Sequence, residues 1–360
     1  MTLARGATIG IVGGGQLGRM LAIAAARLGF RTCVLDPAEN CPAAQTCNEH
    51  IAAAYDDMTA LAQLARRCDA ITYEFENIAL GAARWLEKNA VLRPGATALE
   101  TAQDRLIEKT FLNANGIPTV GFRDVADAAS LADALAAFGG RGILKTRRLG
   151  YDGKGQIRFR GAAGDPSPEE ALGEIGHAPA ILEAFAPFEG EISVIVTRGG
   201  DGTTVCYEPA RNVHAEGILS TSTVPAGIAE PVGEQAVRTA AKLADALSYV
   251  GTLGLELFVM ADGTLRANEF APRVHNSGHW TEAACAVSQF EQHIRAVAGW
   301  PLGAPDRHSD CVMENLIGDD IGRMPELARA PNVVLHDYGK AESRPGRKMG
   351  HFTRLRPRLG

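Results

Sequence analysis

The chain has 360 residues, 46% of them hydrophobic and 22% charged, with a net charge of −6. That length accommodates two or three domains with proper cores. The acidic balance excludes general nucleic-acid binding, so any grip on phosphate must come from local basic clusters. Seven cysteines without a C-x-x-C pair point to a reducing cytosol, and Cys41, Cys47 and His50 read as scattered thiols beside a histidine rather than a metal set. No run approaches the ~18 apolar residues of a membrane span, and the N-terminus shows no signal-peptide pattern.

Thr8 to Val12 is an apolar strand, Gln16 to Leu28 has a helical pattern, and Arg31 to Leu35 is a second strand ending at Asp36. Between the first two lies Gly13-Gly14-Gly15-Gln16-Leu17-Gly18, a G-x-G-x-x-G in strand–loop–helix context. Its glycines admit close backbone approach, and the helix N-terminus offers N–H groups to a phosphate. Taken alone, this stretch and Asp36 support an NAD-dependent oxidoreductase. Ala70 to Tyr73 is a third strand, followed by Glu74, Glu76 and Asn77 where open α/β sheets bind ligands. Glu76 is suited to accept hydrogen bonds from ribose hydroxyls. Gly81 to Asn89 and Ala98 to Asn113 read as helices, the second stopping at Gly116.

The pattern changes near Ile117-Pro118, where a domain boundary is expected. Ala129 to Phe138 is helical, and Gly142 to Lys145 is a strand. The next stretch, Thr146 to Gln156, carries three glycines in six residues between Lys145 and Lys154, positive charge suited to a triphosphate. The G-K-[ST] order of a Walker A loop is absent. Ser167, Pro168 and Glu170 form a capping box with proline at the first helical position. Ala180 to Ala186 is a strand, and Glu191 opens another, Glu191 to Val196.

Thr252 to Met260 and Thr264 to Phe270 read as a hairpin around Asp262-Gly263. A two-residue loop sets Glu256 directly opposite Glu269, with Phe258, Met260, Ala267 and Leu265 on the same face. Opposed carboxylates repel, and a divalent cation shared between them removes the conflict. Asn268 points to the other face by strand alternation, unless the strand end bends. Pro272 to Gly278 is a loop carrying Arg273 and His275. Near the C-terminus, Arg344, Arg347 and Lys348 surround Pro345-Gly346 as an anion cradle.

KTRRLGYDGKGQ at Lys145, NEFAPRVHNSGHW at Asn268 and RPGRKMGH at Arg344 together resemble the ATP-grasp ligases, and within them the 5-(carboxyamino)imidazole ribonucleotide synthase family. GGGQLGRM at Gly13 and YEFENI at Tyr73 are similar to family strings as well. The resemblance implies an α/β chain with an α+β lid: the ATP-grasp fold behind an N-terminal Rossmann-like domain. The implied division is a substrate domain over 1–116, a lid subdomain over 117–190 and a catalytic domain over 191–360. It also implies ATP and Mg²⁺ as cofactors, aminoimidazole ribonucleotide and bicarbonate as substrates, carboxyphosphate as intermediate, and a cytoplasmic homodimer with no nucleic-acid or membrane partner.

The same resemblance distributes the residues. ATP is implied at Arg105, Lys145, Gly150, Tyr151, Asp152, Gly153, Lys154, Gly155, Gln156, Glu183, Ala184, Phe185, Ala186, Glu191, His214, Asn268 and Glu269. The metal falls to Glu256 and Glu269, and the substrate ribonucleotide to Gln16, Leu17, Glu76, Tyr151, Asp152, Arg347 and Lys348. Arg273 and Lys348 are suited to hold bicarbonate and carboxyphosphate. His275, as an imidazole able to exchange a proton near neutral pH, is the expected proton handler. Many ATP-grasp members carry an asparagine two residues after the second metal glutamate, where this chain has Ala271, so Asn268 or water must complete the shell. A different ATP-grasp ligase and a non-catalytic nucleotide-binding protein are the remaining alternatives.

Overall fold

The computed structural model describes residues 1–150 and 155–358; Tyr151, Asp152, Gly153 and Lys154, implied as ligands above, lie outside the described residues. Among the described residues the strands form three sheets. The first is parallel, in the spatial order Glu49–Ile51, Arg31–Leu35, Thr8–Val12, Ala70–Tyr73. Its apolar runs are buried on both faces, as a parallel sheet requires: Ile9, Ile11, Val34 and Leu35 are all sealed from solvent. The Gln16–Arg27 helix follows the first strand directly.

The second sheet is antiparallel, in the order Phe122–Val125, Ala180–Ala184, Arg141–Thr146, Gln156–Arg160. The Pro168–Glu174 helix beside it starts as its capping box requires, with Ser167 Oγ accepting from Glu170 N–H and the Glu170 carboxylate accepting from Ser167 N–H.

The third sheet runs Leu265–Ala271, Gly251–Met260, Phe188–Arg198, Ala210–Ala215, Ile218–Val224, Ser309–Ile317, Lys348–Pro357, Val333–Asp337, with Thr204–Cys206 paired to Phe188–Arg198. Strand alternation gives its hairpin two chemically distinct faces. Leu253, Leu255, Leu257 and Val259 pack with Ala240 and Leu243 of the Glu230–Ala246 helix, each leucine contributing about 1.5–3 kcal/mol on burial. Glu256, Phe258 and Met260 face the other way and stay half-buried.

One expected helix is two. Ala96–Ala102 and Arg105–Ala114 are separated at Gln103 and Asp104, because the Asp104 carboxylate caps the second by accepting from Leu106 N–H at 3.0 Å. An aspartate competes with the helix for its own backbone, and here it starts a new one. The Gln289–Ala298 helix ties the first sheet to the third. Its buried His293 takes the Thr252 N–H on Nδ1 (3.0 Å) and bonds Thr72 Oγ1 through Nε2 (2.7 Å). No helix among the described residues is long and apolar enough to cross a membrane.

Candidate active site

Glu256 does stand opposite Glu269, but by a different route from the one expected. The turn has three residues, not two: Met260 N–H donates to Thr264 O, and Ala261, Asp262 and Gly263 form the loop. Gly263 has a φ of +77°, which favours glycine, and the Asp262 carboxylate takes Thr264 N–H and Oγ1–H. This loop pairs Phe258 with Arg266 and Leu257 with Ala267. The register then steps by one between Leu257 and Glu256, leaving Asn268 as the extra residue of a bulge. Leu265 and Ala267 are consequently in the core and not beside the two acids, as the two-residue turn implied. The bend that Asn268 required is this bulge: Asn268 and Glu269 are consecutive and both line the cleft.

The two carboxylates differ in environment. Burial, then the charge of Glu269, pushes Glu256 up to about 7. Burial also disfavours ionised Glu269, but Arg105 outweighs it through Nη1–Oε2 contact at 2.7 Å and holds that carboxyl down to about 2. Asn268 Oδ1 is buried without a hydrogen-bond partner.

The Arg105–Ala114 helix grips this strand with three side chains at i, i+3 and i+4. Besides Arg105, Glu108 accepts from Phe270 N–H at 2.7 Å, and Lys109 Nζ donates to Asn268 O at 3.0 Å. Burial, followed by the charge on Glu269, pushes Glu108 up to about 8. Lys109 has no exposed side-chain surface and also meets Glu183 at 3.2 Å, while Lys145 meets the other Glu183 oxygen at 2.9 Å. Burial opposes the charge on Glu183, but Lys145 and Lys109 hold it down to about 2.

Two clefts meet at Glu256 and Glu269. One, of about 350 Å³, is walled by Arg105, Lys145, Gly150, Gly155, Gln156, Phe188, Glu191, His214, Phe258 and Asn268. Phe188 and Phe258 stack at 4.4 Å, 9° from parallel. Glu191 pairs with His214 Nδ1 at 2.9 Å. Burial works against the His214 cation, but the Glu191 hydrogen bond raises its pKa overall. Glu183, Ala184, Phe185 and Ala186 are not on this wall: Glu183 sits under Lys145, and Ala184 N–H is bonded to Gly121 O.

The second cleft, of about 490 Å³, is walled by Gln16, Leu17, Glu76, Arg273, His275, Asn276 and Lys348. Arg273 Nε is bonded to the Glu76 carboxylate. Burial would push Glu76 up, but the guanidinium holds it below the usual carboxylate range. His275 packs closely under the acidic hairpin because Gly254 lacks a Cβ, which would meet His275 Cβ at 2.7 Å. Gln289 holds it by accepting from its N–H (2.9 Å) and donating to its carbonyl (2.7 Å). His275 Nδ1 meets Ser277 Oγ at 2.8 Å, and Nε2 lies 3.5 Å from Glu256 Oε1. Burial, then Arg273 and Lys348, depress His275 to about 3. That lies below the range near neutral pH in which it was expected to exchange a proton. Arg347 does not wall this cleft. It lines a separate cleft beside Gly14 and Gly15, with Lys340 and Arg344.

The glycine loop itself is internally satisfied. Glu74, buried, accepts from Gly15 N–H at 2.6 Å and Gly18 N–H at 2.7 Å, and Asp36 accepts from Gly14 N–H at 2.7 Å. A pyrophosphate needs those donors, and a buried carboxylate at the same place would repel it. The dinucleotide alternative fails on this point.

Glu108, Lys109, Gln289 and Gly254 were not singled out from sequence. Lys109 and Gln289 are polar residues on helices, and burial distinguishes them. The spacing of Arg105, Glu108 and Lys109 on one helix face was the available signal.

Comparison with known proteins places the whole chain. Residues 6–103 match the ribonucleotide synthetase preATP-grasp domain, 110–290 the ATP-grasp domain, and 311–359 the phosphoribosylaminoimidazole carboxylase C-terminal domain. The N5-carboxyaminoimidazole ribonucleotide synthase of Brucella melitensis is 60% identical over 357 residues, 99% of this chain and 98% of that one. An N5-carboxyaminoimidazole ribonucleotide synthetase solved as its ADP complex superposes with a TM-score of 0.95 at 44% identity, covering 99% and 94% of the two chains. The Aspergillus clavatus synthase, solved with ADP and 5-aminoimidazole ribonucleotide, gives 0.90 at 30% identity over 98% and 94%.

Proposed function

This chain belongs to the N5-carboxyaminoimidazole ribonucleotide synthases of the ATP-grasp superfamily, and from that premise we propose how its residues divide the work. It is an ATP-dependent ligase that carboxylates 5-aminoimidazole ribonucleotide in purine biosynthesis. The observation that carries the division is that Glu256 and Glu269 wall both clefts. A γ-phosphate entering from the Lys145 side meets there whatever is held on the Arg273 side.

The residues present fit a divalent cation: two opposed carboxylates, one pushed up to about 7 by burial and by the other's charge, line one cleft with Asn268, whose Oδ1 is buried and unpartnered. Mg²⁺ held by Glu256, Glu269 and Asn268 would supply charge neutralisation for phosphoryl transfer. Lys145 and Arg105 add cationic charge from the nucleotide side. Phe188 and Phe258 form an apolar face for the base, and Glu191 accepts from the ATP ribose. Gln16, Leu17 and Glu76 hold the substrate ribonucleotide, with Arg347 reaching its phosphate from the neighbouring cleft.

Bicarbonate is a poor electrophile. Its oxygen attacks the γ-phosphorus, ADP leaves, and carboxyphosphate forms. The exocyclic amine then attacks the carboxyl carbon, the bond to phosphate breaks, and the amine loses a proton. Arg273 and Lys348 hold the anion through both steps. His275 contributes as a neutral donor through Nε2, orienting the anion without itself becoming charged. Removing it is expected to leave ADP release running while less product forms, so His275→Ala should raise the ratio of ADP to carboxylated product. A wild-type ratio would return His275 to loop positioning.

Three domains, expected at 1–116, 117–190 and 191–360, agree in number with the three sheets, but the Phe188–Arg198 strand lies wholly in the third sheet, so the second boundary belongs ahead of Phe188 and not at 190. Limited proteolysis would test it, with the second cut sought just ahead of the Phe188–Arg198 strand. The resemblance also supports a cytoplasmic homodimer, checked by sedimentation. ADP release measured with and without aminoimidazole ribonucleotide and bicarbonate tests the whole reading. Turnover indifferent to both would defeat it.

A further inference from the structure

Arg105, Glu108 and Lys109 touch three consecutive residues of the acidic strand, and only the first touches a side chain. Glu108 and Lys109 reach the backbone on either side of Glu269: Phe270 N–H donates to Glu108 Oε1, and Lys109 Nζ donates to Asn268 O. These are the two peptide groups on either side of Glu269, the one held by Lys109 being the peptide that joins it to the bulged Asn268. A bulge leaves ladder groups unpaired, and such groups are costly when buried. Here the helix supplies partners that a neighbouring strand would otherwise provide. Lys109 is fully buried, a position a lysine occupies only when paired, and its second partner is Glu183, which also holds Lys145.

We infer that Glu108 and Lys109 are positioning residues that lock the Asn268 bulge and so set Asn268 Oδ1 and the Glu269 carboxylate at one metal position. The inference rests on Glu256 and Glu269 being the metal ligands. The same helix turn also meets the root of the glycine-rich segment. Asp104 binds Arg147 at 2.8 Å, and Arg105 N–H donates to Arg147 O at 2.9 Å. The clamp thus spans the nucleotide-side and metal-side walls in one rigid element.

The test is Lys109→Met, read as the Mg²⁺ concentration needed to raise the melting temperature in the presence of ADP, as Mg²⁺ dependence of ADP release at saturating ATP and, separately, as KM for ATP at saturating Mg²⁺. Outer partners of metal ligands typically govern affinity, so Mg²⁺ half-saturation should rise by about 10- to 100-fold with a much smaller change in KM. Glu108→Gln, which keeps the acceptor for Phe270 N–H, should stay near wild type, whereas Glu108→Leu should shift Mg²⁺ dependence as Lys109→Met does. Melting curves confirm folding. If Lys109→Met does not fold, the two Glu108 variants carry the same test. An effect confined to KM for ATP would show that Lys109 acts through Glu183 and Lys145, which overturns the inference. So would unchanged Mg²⁺ dependence in Lys109→Met and Glu108→Leu while Glu269→Gln is impaired. Unchanged Mg²⁺ dependence in Glu256→Gln and Glu269→Gln would instead remove the metal assignment, and the clamp with it.

Discussion

The backbone of the glycine loop and the acidic hairpin invite opposite readings and end in opposite roles, the loop reaching the second cleft only through Gln16 and Leu17. The loop has the more familiar ligand-binding pattern, yet Gly14, Gly15 and Gly18 N–H groups are already bonded to Asp36 and Glu74. The hairpin has no comparable consensus, yet it keeps an unpartnered Asn268 Oδ1 and a carboxyl pushed up to about 7. Polar groups that satisfy one another build the scaffold, and those left with demands build the site. A motif names what a backbone can bind. The side chains around it decide what it does bind.

The sharpest way to break this contrast is Glu269→Gln or Glu256→Gln. Each should lower turnover on the order of 100-fold or more while the protein still folds. Without metal, Glu256→Gln should melt no lower than wild type, because it removes one of two repelling acids. Wild-type turnover and Mg²⁺ response in both would place the site elsewhere.

Glu74→Ala is the converse experiment. It strips two charge-assisted bonds from the glycine loop and should cost about 3 kcal/mol of unfolding free energy by denaturant titration. At temperatures where the variant stays folded, its Mg²⁺ dependence should match wild type. A stable variant with altered Mg²⁺ response would erase the distinction between the two regions.

Buried histidines extend the contrast to pH. His293 has both ring nitrogens bonded, and burial depresses it from 6.5 to about 3. The unfolded chain therefore binds a proton that the folded one refuses between those values. The contribution is complete above 6.5 and is lost as pH falls toward 3, at up to about 1.4 kcal/mol per pH unit. His293→Gln should be less stable near neutrality, with a shallower loss of stability on acidification. An unchanged slope would assign the acid sensitivity to other groups.

The smallest effect is expected at the turn. Asp262→Ala removes bonds to Thr264 N–H and Oγ1–H and should lower the melting temperature only slightly, because the loop is exposed to solvent that replaces them. Mg²⁺ half-saturation should hold, because the Arg105–Ala114 helix and not the turn secures the bulge. A raised half-saturation would show that the turn sets the register as well.

Much of this was legible in the residues. Short continuous apolar runs placed the Thr8–Val12 and Arg31–Leu35 strands at their observed ends, and Ser167-Pro168 placed a helix start. What was not legible has one physical source: contacts between residues far apart in the chain. The Asn268 bulge is secured by Lys109, 159 positions away. The Ala98–Asn113 pattern hides a break because Asp104 serves as both a cap and the partner of Arg147. His275 was expected to titrate near neutrality because its burial against Gly254 cannot be read from its neighbours.

The three-residue turn and the bulge displace the register by one step each, and the displacements cancel at Glu256 and Glu269. The two devices are nevertheless independent in what they do for the acids. Deleting Ala261 would shorten the loop to Asp262-Gly263 with Met260 still opposite Thr264, and deleting Asn268 would straighten the strand with Glu269 next after Ala267 and still opposite Glu256. Either deletion keeps the carboxylates paired, and only the second removes the Asn268 amide oxygen. The bulge therefore adds a polar group to the cleft and does not serve to align the acids.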